Sequence, residues 1–444
     1  MRLLASCVDS GSLKEILCNV GTDTSKKAEI QPLSIRTSLS EGLKASIDTL
    51  CLCDRYRILL GRNNGTLEMV KIVDVPHTEE EGTQLPTFQV SEFEVLDSIS
   101  GMLDDSKLAP LYEGSKKRVK LTDGFVTISQ LPGLKDSYLV ATRSGLISVV
   151  KWDAKESKLT KIETFEVKAP LEFAQLYDLG QDNSSGDFVL AYGGEENSVK
   201  LVQLKRDYSS LVQVWEAKNV KNDKLDLRVP IWPVALRFLR PLESTDVEKS
   251  KLNYQFVVIT RWSHLGLYRT QHGRKPLQYK ELLPNREPLT QLQLVGKDVS
   301  ELGNIFATDF KDFEIVTADT KHNVYKFDIK GKLQLKFGKT DITGASSFLA
   351  VHDQKYLLQG GLDRYARIFD LQSGTRLAKV YTGSKVNYLL MLDDDQVGID
   401  KPKVTKDKKR KPEPEDEEEQ EAQNDELWHH LDKSKQNSVK KARK

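Results

Sequence analysis

The sequence predicts an all-β protein built as a seven-bladed β-propeller, a ring of seven four-stranded sheets. Seven times within residues 1–392, an apolar-rich run breaks at a small or polar turn and a second apolar-rich run follows. β-branched and aromatic residues on both sides of such turns are typical of β-hairpins. The turns begin at Ser10, Asn64, Ser144, Glu196, Ser263, His322 and Asp363. Intervals of about 40–60 residues are typical of propeller blades, whereas the turns of a β-sandwich recur about every 8–12 residues.

The hairpins supply two strands of each predicted blade. In chain order they cover 3–8 with 13–17, 56–60 with 67–72, 138–142 with 146–152, 188–192 with 199–204, 256–260 with 265–268, 313–317 with 324–329, and 356–358 with 366–371. Further strands are predicted before five hairpins, at 124–130, 171–177, 234–239, 289–295 and 346–351. Strands are also predicted after four hairpins, at 161–167, 211–215, 333–337 and 377–381. A strand on either side of the hairpin gives each unit four strands.

The last unit carries the most specific motif. Residues 357–370 read LLQGGLDRYARIFD and resemble a WD repeat in which Phe369-Asp370 replaces Trp-Asp. The chain therefore predicts a WD40-type β-propeller. One strand, at 386–392, remains after the seventh unit, while the chain begins directly in a hairpin strand. We expect this C-terminal strand to complete the first blade, because ring closure removes the edges that make open sheets aggregate.

The distribution of charge separates the propeller, 1–392, from a C-terminal tail, 393–444. The 444 residues include 66 basic and 65 acidic side chains, for a formal charge of +1. The tail holds 13 of the 66 basic and 15 of the 65 acidic side chains, which leaves 53 basic and 50 acidic side chains in the propeller. Because blocks of like charge bury too little apolar surface to fold, the tail is predicted to be mostly disordered. A propeller charge of +3 argues against non-specific coating of RNA, which takes a strongly basic domain.

Two basic clusters are predicted to direct nuclear import. The first is Lys408, Lys409, Arg410 and Lys411 in the tail, and the second is Lys117, Arg118 and Lys120 in a long insertion at 96–120. Such clusters serve nuclear import or nucleic-acid contact; the alternatives are an inert solubilising tail and a plain basic loop. Near 425–432 the tail is predicted to form a short docking helix with Leu427, Trp428 and Leu431 on one side.

The search for reaction chemistry finds little. Cys51 and Cys53 are separated by one residue, which suits no common zinc pair, and are expected to be strand residues. Four cysteines in 444 residues indicate reduced thiols in an intracellular compartment. No apolar run approaches the ~18 residues of a membrane span. We therefore expect a non-enzymatic protein with no cofactor, no metal site and no membrane segment.

A partner-binding face is predicted where loops of neighbouring blades meet. In a propeller the hairpin turns and the connections between blades emerge on the same face, and here they carry Lys218, Lys221, Asn222, Lys224, Arg228, Arg261, Trp262, His264 and Arg286. Basic side chains beside tryptophan suit RNA phosphates and bases, or an acidic protein partner. The alternative is a set of solvated loops with Trp215 and Trp232 buried as packing anchors. A second basic loop, 268–276, is expected on the opposite face.

Several segments resemble one known family. They are GGEEN at 193–197, WEAKNVKND at 215–223, TRWSH at 260–264, LPNREPL at 283–289 and QGGLDRY at 359–365, together with the opening MRLL. These segments resemble the family of fungal Nop-seven-associated protein 1 and animal WD-repeat-containing protein 74, and the similarity covers residues 1 to about 392.

The resemblance implies a function in the nucleus. It implies a nucleolar factor, monomeric within a larger assembly, that binds early precursors of the large ribosomal subunit (pre-60S particles) and supports pre-rRNA processing. The implied partners are other nucleolar assembly factors and an AAA-type ATPase that helps to release the protein, while direct contact with pre-rRNA stays open. The family has no known catalytic residues. The alternative is a generic nuclear WD-repeat adaptor in a ubiquitin-ligase or chromatin complex.

Overall fold

The computed structural model describes residues 1–27, 29–77, 88–113, 121–178, 186–222, 225–241, 251–296 and 313–397. These residues form 28 β-strands in seven four-stranded antiparallel sheets. Their helical content is four 3-10 turns, at Leu43–Ala45, Asp105–Lys107, Ala109–Tyr112 and Thr270–His272. None of the described helices is long and apolar enough to cross a membrane. The predicted all-β, seven-bladed propeller is confirmed.

The seven sheets are the blades of the propeller. Blade 1 contains β1 (Arg2–Cys7), β2 (Ser12–Leu17), β3 (Ser34–Ser38) and the C-terminal β28 (Val386–Asp393); blade 2 contains β4 (Ile47–Asp54), β5 (Arg57–Arg62), β6 (Leu67–Pro76) and β7 (Gln89–Ile99); blade 3 contains β8 (Phe125–Gln130), β9 (Ser137–Thr142), β10 (Leu146–Asp153) and β11 (Lys158–Glu166). Blade 4 contains β12 (Phe173–Leu176), β13 (Phe188–Gly194), β14 (Asn197–Leu204) and β15 (Leu211–Glu216); blade 5 contains β16 (Pro233–Leu239), β17 (Gln255–Thr260), β18 (His264–Arg269) and β19 (Gln278–Glu281). Blade 6 contains β20 (Leu289–Gly296), β21 (Phe313–Asp319), β22 (Val324–Asp328) and β23 (Leu333–Phe337); blade 7 contains β24 (Ser346–His352), β25 (Tyr356–Gly361), β26 (Tyr365–Asp370) and β27 (Arg376–Tyr381).

The ring closes through the C-terminal strand, as predicted. β28 pairs antiparallel with β1, with Leu3 opposite Met391 and Ala5 opposite Leu389. β28 is the innermost strand of blade 1, because it packs between β24 and β4 in the ring that the first strands of the other blades form around the axis. The C-terminal strand therefore lines the central channel as well as closing the first blade.

A group of charged side chains reinforces the seam between blades 1 and 7. The connection between β2 and β3 runs along the outer edge of β27, where Asp23 forms a parallel bridge with Lys379. Arg376 donates to Asp23 at 2.6 Å and to both carboxylate oxygens of Asp341 at 2.8 Å. This connection covers a sheet edge that would otherwise present unpaired backbone groups.

The core lies between the blades. All residues of five second-position strands are buried, namely β1, β9, β13, β17 and β25. Strands covered on both faces read as continuous apolar runs instead of alternating patterns. This burial is why the first strand of each hairpin stands out in the sequence.

Four strands were not predicted, and each has a physical reason. β3, β7 and β19 are outer strands with exposed residues along their length, and β4 is an inner strand whose second half is only partly buried. Half-exposed strands lack the continuous apolar run. The predicted start of the insertion at residue 96 was wrong, because β7 continues to Ile99. The predicted import residues Lys117, Arg118 and Lys120 lie outside the described residues, as does the tail from residue 398, where the docking helix was predicted.

Candidate partner-binding face

The loops predicted to share one face do so. We define the partner face as the turn at 195–196, the loop at 217–232, the turn at 261–263 and the loop at 282–288. The turns at 195–196 and 261–263 join the two middle strands of blade 4 and of blade 5, respectively. The loops at 217–232 and 282–288 lead into the inner strands of blades 5 and 6. Contacts tie them together, because Glu196 N–H donates to Ile231 O at 2.9 Å and Leu282 N–H donates to Ser263 O at 2.8 Å.

The loop at 217–232 is held by its own side chains. The Asn219 amide donates to Val229 O at 2.8 Å, which joins the two arms of the loop. The Asn222 amide donates to the Asp226 carboxylate at 2.9 Å, and Asp226 has a positive φ of 58°. Asn222 was predicted as a partner contact, but its amide donors are used within the loop. In the structure Asn222 shapes the loop that presents its neighbours.

A groove of about 510 Å³ gathers five predicted residues. Its lining comprises Lys221, Arg228, Trp262, His264 and Arg286, with Val220, Val229, Pro230, Tyr279 and Glu281 between them. Trp262 is 39% exposed, so much of the indole surface is open to a partner. The groove combines an accessible aromatic surface with three cationic side chains.

His264 contributes to this groove as an aromatic side chain. Its imidazole stacks on the Tyr279 ring with 4.7 Å between centroids and 14° between planes. Burial lowers the pKa of His264 below its ordinary value of 6.5, so the ring is neutral at pH 7. Tyr279, which extends this surface, was missed because the outer strand β19 has only four residues.

Two of the three cations in the groove have carboxylate partners. Arg228 lies 2.8 Å from Glu196 and Arg286 lies 3.4 Å from Glu281, and all four side chains are exposed. Exposed pairs of this kind contribute about 0–1 kcal/mol and exchange readily for another anion. Lys221 has no carboxylate within 4 Å among the described residues. Within the described residues, the groove therefore offers one cation without a carboxylate partner and two that are weakly held.

The remaining predicted residues lie around the groove. Arg261 stacks over the Trp232 ring, with 5.7 Å from its Cζ to the ring centroid. Lys218 is exposed and borders a smaller cleft beside Trp232. Trp215 is buried and packs edge-on against Phe256 at 5.5 Å, which confirms the packing-anchor alternative for this residue. Lys224 lies outside the described part of the loop.

The second basic loop departs from its predicted position. Arg274 Nε donates to Glu216 O at 2.5 Å, and Arg274 O accepts from Lys218 N–H at 2.8 Å. The loop therefore folds back along the outer strand of blade 4 and supports the base of the loop at 217–232. The prediction that it projects from the opposite face was wrong at Arg274, because distant backbone groups capture the side chain.

Comparison with known proteins identifies the family. The ribosome biogenesis protein NSA1 of Vanderwaltozyma polyspora is 51% identical over 448 residues, covering 99% of this chain and 100% of that protein. Its counterpart in Saccharomyces cerevisiae is 48% identical and covers 97% of both chains. The chain belongs to the NSA1 family. The counterpart in Kluyveromyces lactis is 41% identical over 98% of both chains. No protein-family model matches the chain.

Family membership confirms the resemblance predicted from the quoted segments. Two of these segments supply the Arg261–His264 turn and Arg286 of the partner face, and a third covers Lys218–Asn222. Among the described residues, no group of three or more His, Cys, Asp or Glu side chains could hold a metal ion. The partner face presents a groove, an exposed aromatic surface and positively charged side chains.

Two leucines extend the partner face beyond the predicted residues. Leu225 is 78% exposed and Leu227 is 59% exposed, and both lie in the loop that carries Lys221 and Arg228. Exposed apolar side chains grouped beside an aromatic groove mark protein interaction sites more than nucleic-acid sites. The sequence signal was the Leu-Asp-Leu pattern inside an otherwise polar loop.

Proposed function

We propose that this chain is a non-enzymatic assembly factor of the large ribosomal subunit. In this proposal the propeller is a scaffold on nucleolar pre-60S particles, where it supports pre-rRNA processing and is later released by an AAA-type ATPase. Membership of the NSA1 family, whose members are named as ribosome biogenesis proteins, supports a function in ribosome biogenesis. The basic clusters Lys117–Lys120 and Lys408–Lys411 are proposed to bring the protein to the nucleus and nucleolus.

The groove beside Trp262 carries the proposal that the partner face grips the particle. Tryptophan and arginine are the residues most enriched among those that dominate binding energy. Here Trp262 is flanked by Arg228 and Arg286 within one groove. The exposed Leu225 and Leu227 favour an assembly-factor protein as the occupant, because a protein surface can cover them while RNA gains little from doing so.

The test is charge reversal on the partner face. The variant Lys221→Glu/Arg228→Glu/Arg261→Glu changes two exposed side chains and the half-buried Arg261, which stacks over Trp232. All three lie in loops outside the strands, so the fold is expected to persist. The measurement is co-sedimentation of the tagged protein with pre-60S particles on a gradient, with thermal unfolding recorded in parallel. We expect the particle-bound fraction to fall at least tenfold, since each unfavourable pair at an interface costs on the order of 1 kcal/mol or more.

A matched control places the same three changes on the opposite face. Lys155, Lys205 and Lys332 are exposed, and the control converts them to glutamate. This control is expected to sediment with particles as the unmodified protein does. Equal particle association of both triple variants would refute the assignment to the partner face. Absence of large-subunit pre-rRNA from material purified with the unmodified protein would refute the pre-60S proposal and favour a generic nuclear adaptor.

A further inference from the structure

The seven inner strands enclose a central channel with a mainly polar wall. A cavity of about 370 Å³ is lined by residues from β4, β8, β12, β16, β20, β24 and β28. Neutral polar side chains such as Thr127, Gln291, Ser347 and Asn387 lie on this wall. Several are held by backbone carbonyls, as where Gln291 donates to Ser347 O at 3.1 Å. The cavity is therefore a small space whose wall consists of polar groups held in fixed orientations.

Arg237 is the one basic side chain on this wall among the described residues. It is the fifth residue of β16, and its Nη1 donates to Gln175 Oε1 at 2.8 Å and to Leu236 O at 3.1 Å. Within the described part of the chain, its Nε and Nη2 donate to no acceptor. The Nε–Nη2 edge of a guanidinium presents two parallel N–H groups that match the spacing of two oxygens in a carboxylate or phosphate.

Among the described residues, no carboxylate forms an ion pair with Arg237. The group that interacts with it electrostatically is the Tyr388 phenol on β28, and burial lowers the pKa of Arg237 to about 10. Arg237 is half-buried on the channel wall, and a charge removed from bulk water without a counter-ion is costly in free energy. The fully buried arginines differ, because Arg62 pairs with Glu68 at 2.9 Å and Arg367 with Asp363 at 2.6 Å.

Two acidic side chains line the channel, and neither is a hydrogen-bond partner of Arg237. Glu172 precedes β12 and is three residues before Gln175, the partner of Arg237, which corresponds to about 10 Å along a strand. Burial raises the pKa of Glu172 above its ordinary value of 4.5. Asp48 lies at the second position of β4 and accepts the Phe125 N–H at 3.4 Å. Neither of them occupies the Nε–Nη2 edge of Arg237.

We propose that Arg237 forms an oxyanion-binding site in the central channel, which takes a single carboxylate or phosphate group through its Nε–Nη2 edge. Gln175 holds the guanidinium in place through Nη1, which leaves the Nε–Nη2 edge for a ligand in the cavity that Arg237 lines. The ligand is one group, because a space of about 370 Å³ admits a side chain or a small ion and not a folded element. The site lies on inner strands, and it stands or fails independently of the partner face.

The experiment measures the thermal unfolding of the full chain in increasing inorganic phosphate or acetate, with sodium chloride at matched ionic strength as reference. A ligand that binds only the folded state lowers the unfolding equilibrium constant by a factor of 1 + [L]/Kd, about tenfold at ten times the Kd. We expect this stabilisation in the unmodified protein, loss of it in Arg237→Gln, and retention of it in Lys221→Gln. The Arg237→Lys variant keeps the charge without the paired donors and is expected to respond more weakly.

The comparison is made within each variant, so a change in the basal stability of Arg237→Gln does not obscure the result. A response to phosphate alone assigns the site to phosphate, and a response to both anions or to acetate alone includes acidic side chains among its ligands. No response beyond chloride in the unmodified protein would overturn the proposal. An equal response in Arg237→Gln would place the anion elsewhere and overturn it as well.

Discussion

Two regions of this propeller use the same residue types for opposite purposes. At the seam of blades 6, 7 and 1, six charged side chains form a largely buried network, which we call the seam network: Asp23, Asp341, Asp363, Arg367, Arg376 and Lys379. On the partner face, Arg228 and Arg286 each have one exposed partner and Lys221 has none in the described structure. Burial and the number of partners, more than the residue type, therefore decide whether a cation stabilises the fold or is available to a partner.

The largest expected effect separates the two regions by stability. Arg367 is fully buried and donates to Asp363 at 2.6 Å, to Gln359 at 2.9 Å and to Asp341 O at 2.8 Å. Arg367→Ala leaves Asp363 buried without its partner, and the expected loss in the free energy of unfolding is about 3–5 kcal/mol. Urea unfolding followed by tryptophan fluorescence measures it.

A nearby arginine is the matched control for this prediction. Arg364 lies in the same blade but is half exposed, 3.8 Å from Asp9. Arg364→Ala is expected to change the free energy of unfolding by less than about 1 kcal/mol. A loss in Arg367→Ala no larger than in Arg364→Ala would show that the seam network contributes no special stability.

A smaller effect is expected from pH. Burial raises the pKa of Asp341, but hydrogen bonds from Lys379 and Arg376 outweigh it, and the net pKa lies below the ordinary value of 3.8. A carboxyl with a lowered native pKa stabilises the fold above its unfolded pKa, and that contribution is lost as pH falls through the native pKa. The contribution is about 1.4 kcal/mol for each unit of lowering.

The measurement is the free energy of unfolding of the unmodified protein and of Asp341→Asn between pH 7 and pH 3. Below pH 4 the unmodified protein is expected to lose stability more steeply, so that the two curves converge. Asp226→Asn on the exposed loop is the control and is expected to follow the unmodified protein throughout. Parallel curves for Asp341→Asn and the unmodified protein would contradict the prediction.

The smallest effect is expected on the partner face. Arg228→Ala and Arg286→Ala each remove one exposed ion pair, and the expected change in the free energy of unfolding is within about 0.5 kcal/mol. The same urea titration measures it. A loss of 2 kcal/mol or more, as roughly expected for a buried partner, would place these arginines with the seam network and erase the contrast between the regions.

Much of the fold could be predicted because its strongest signals are local. The buried strands β1, β9, β13, β17 and β25 are continuous apolar runs, so the hairpins and their number are readable without any knowledge of packing. The outer strands β3 and β19 could not be read, because short, half-exposed strands take their order from hydrogen bonds to a neighbour.

The face that carries the candidate site was predicted, but the hydrogen bonds of its side chains were not. Connection order alone puts the turn at 261–263 and the loop at 217–232 on one face, and the groove beside Trp262 follows from that. The role of Asn222 was missed, because its amide is used by Asp226 within the loop. Arg274 was misplaced for a similar reason, since the Glu216 carbonyl that holds it lies 58 residues away in the chain.

By itself the sequence determined the number of blades, the closing strand and the face on which the basic loops meet. Each of these follows from local hydrophobic runs and from the order in which they are connected. Only the tertiary structure decided which cations are committed to the fold. Arg367 is paired in the seam, Arg228 is weakly held at the surface, and Arg237 lines the channel with no carboxylate partner in the described structure. The sequence around each of these arginines does not reveal these differences, because the pairing of a charge depends on groups that folding brings from distant parts of the chain.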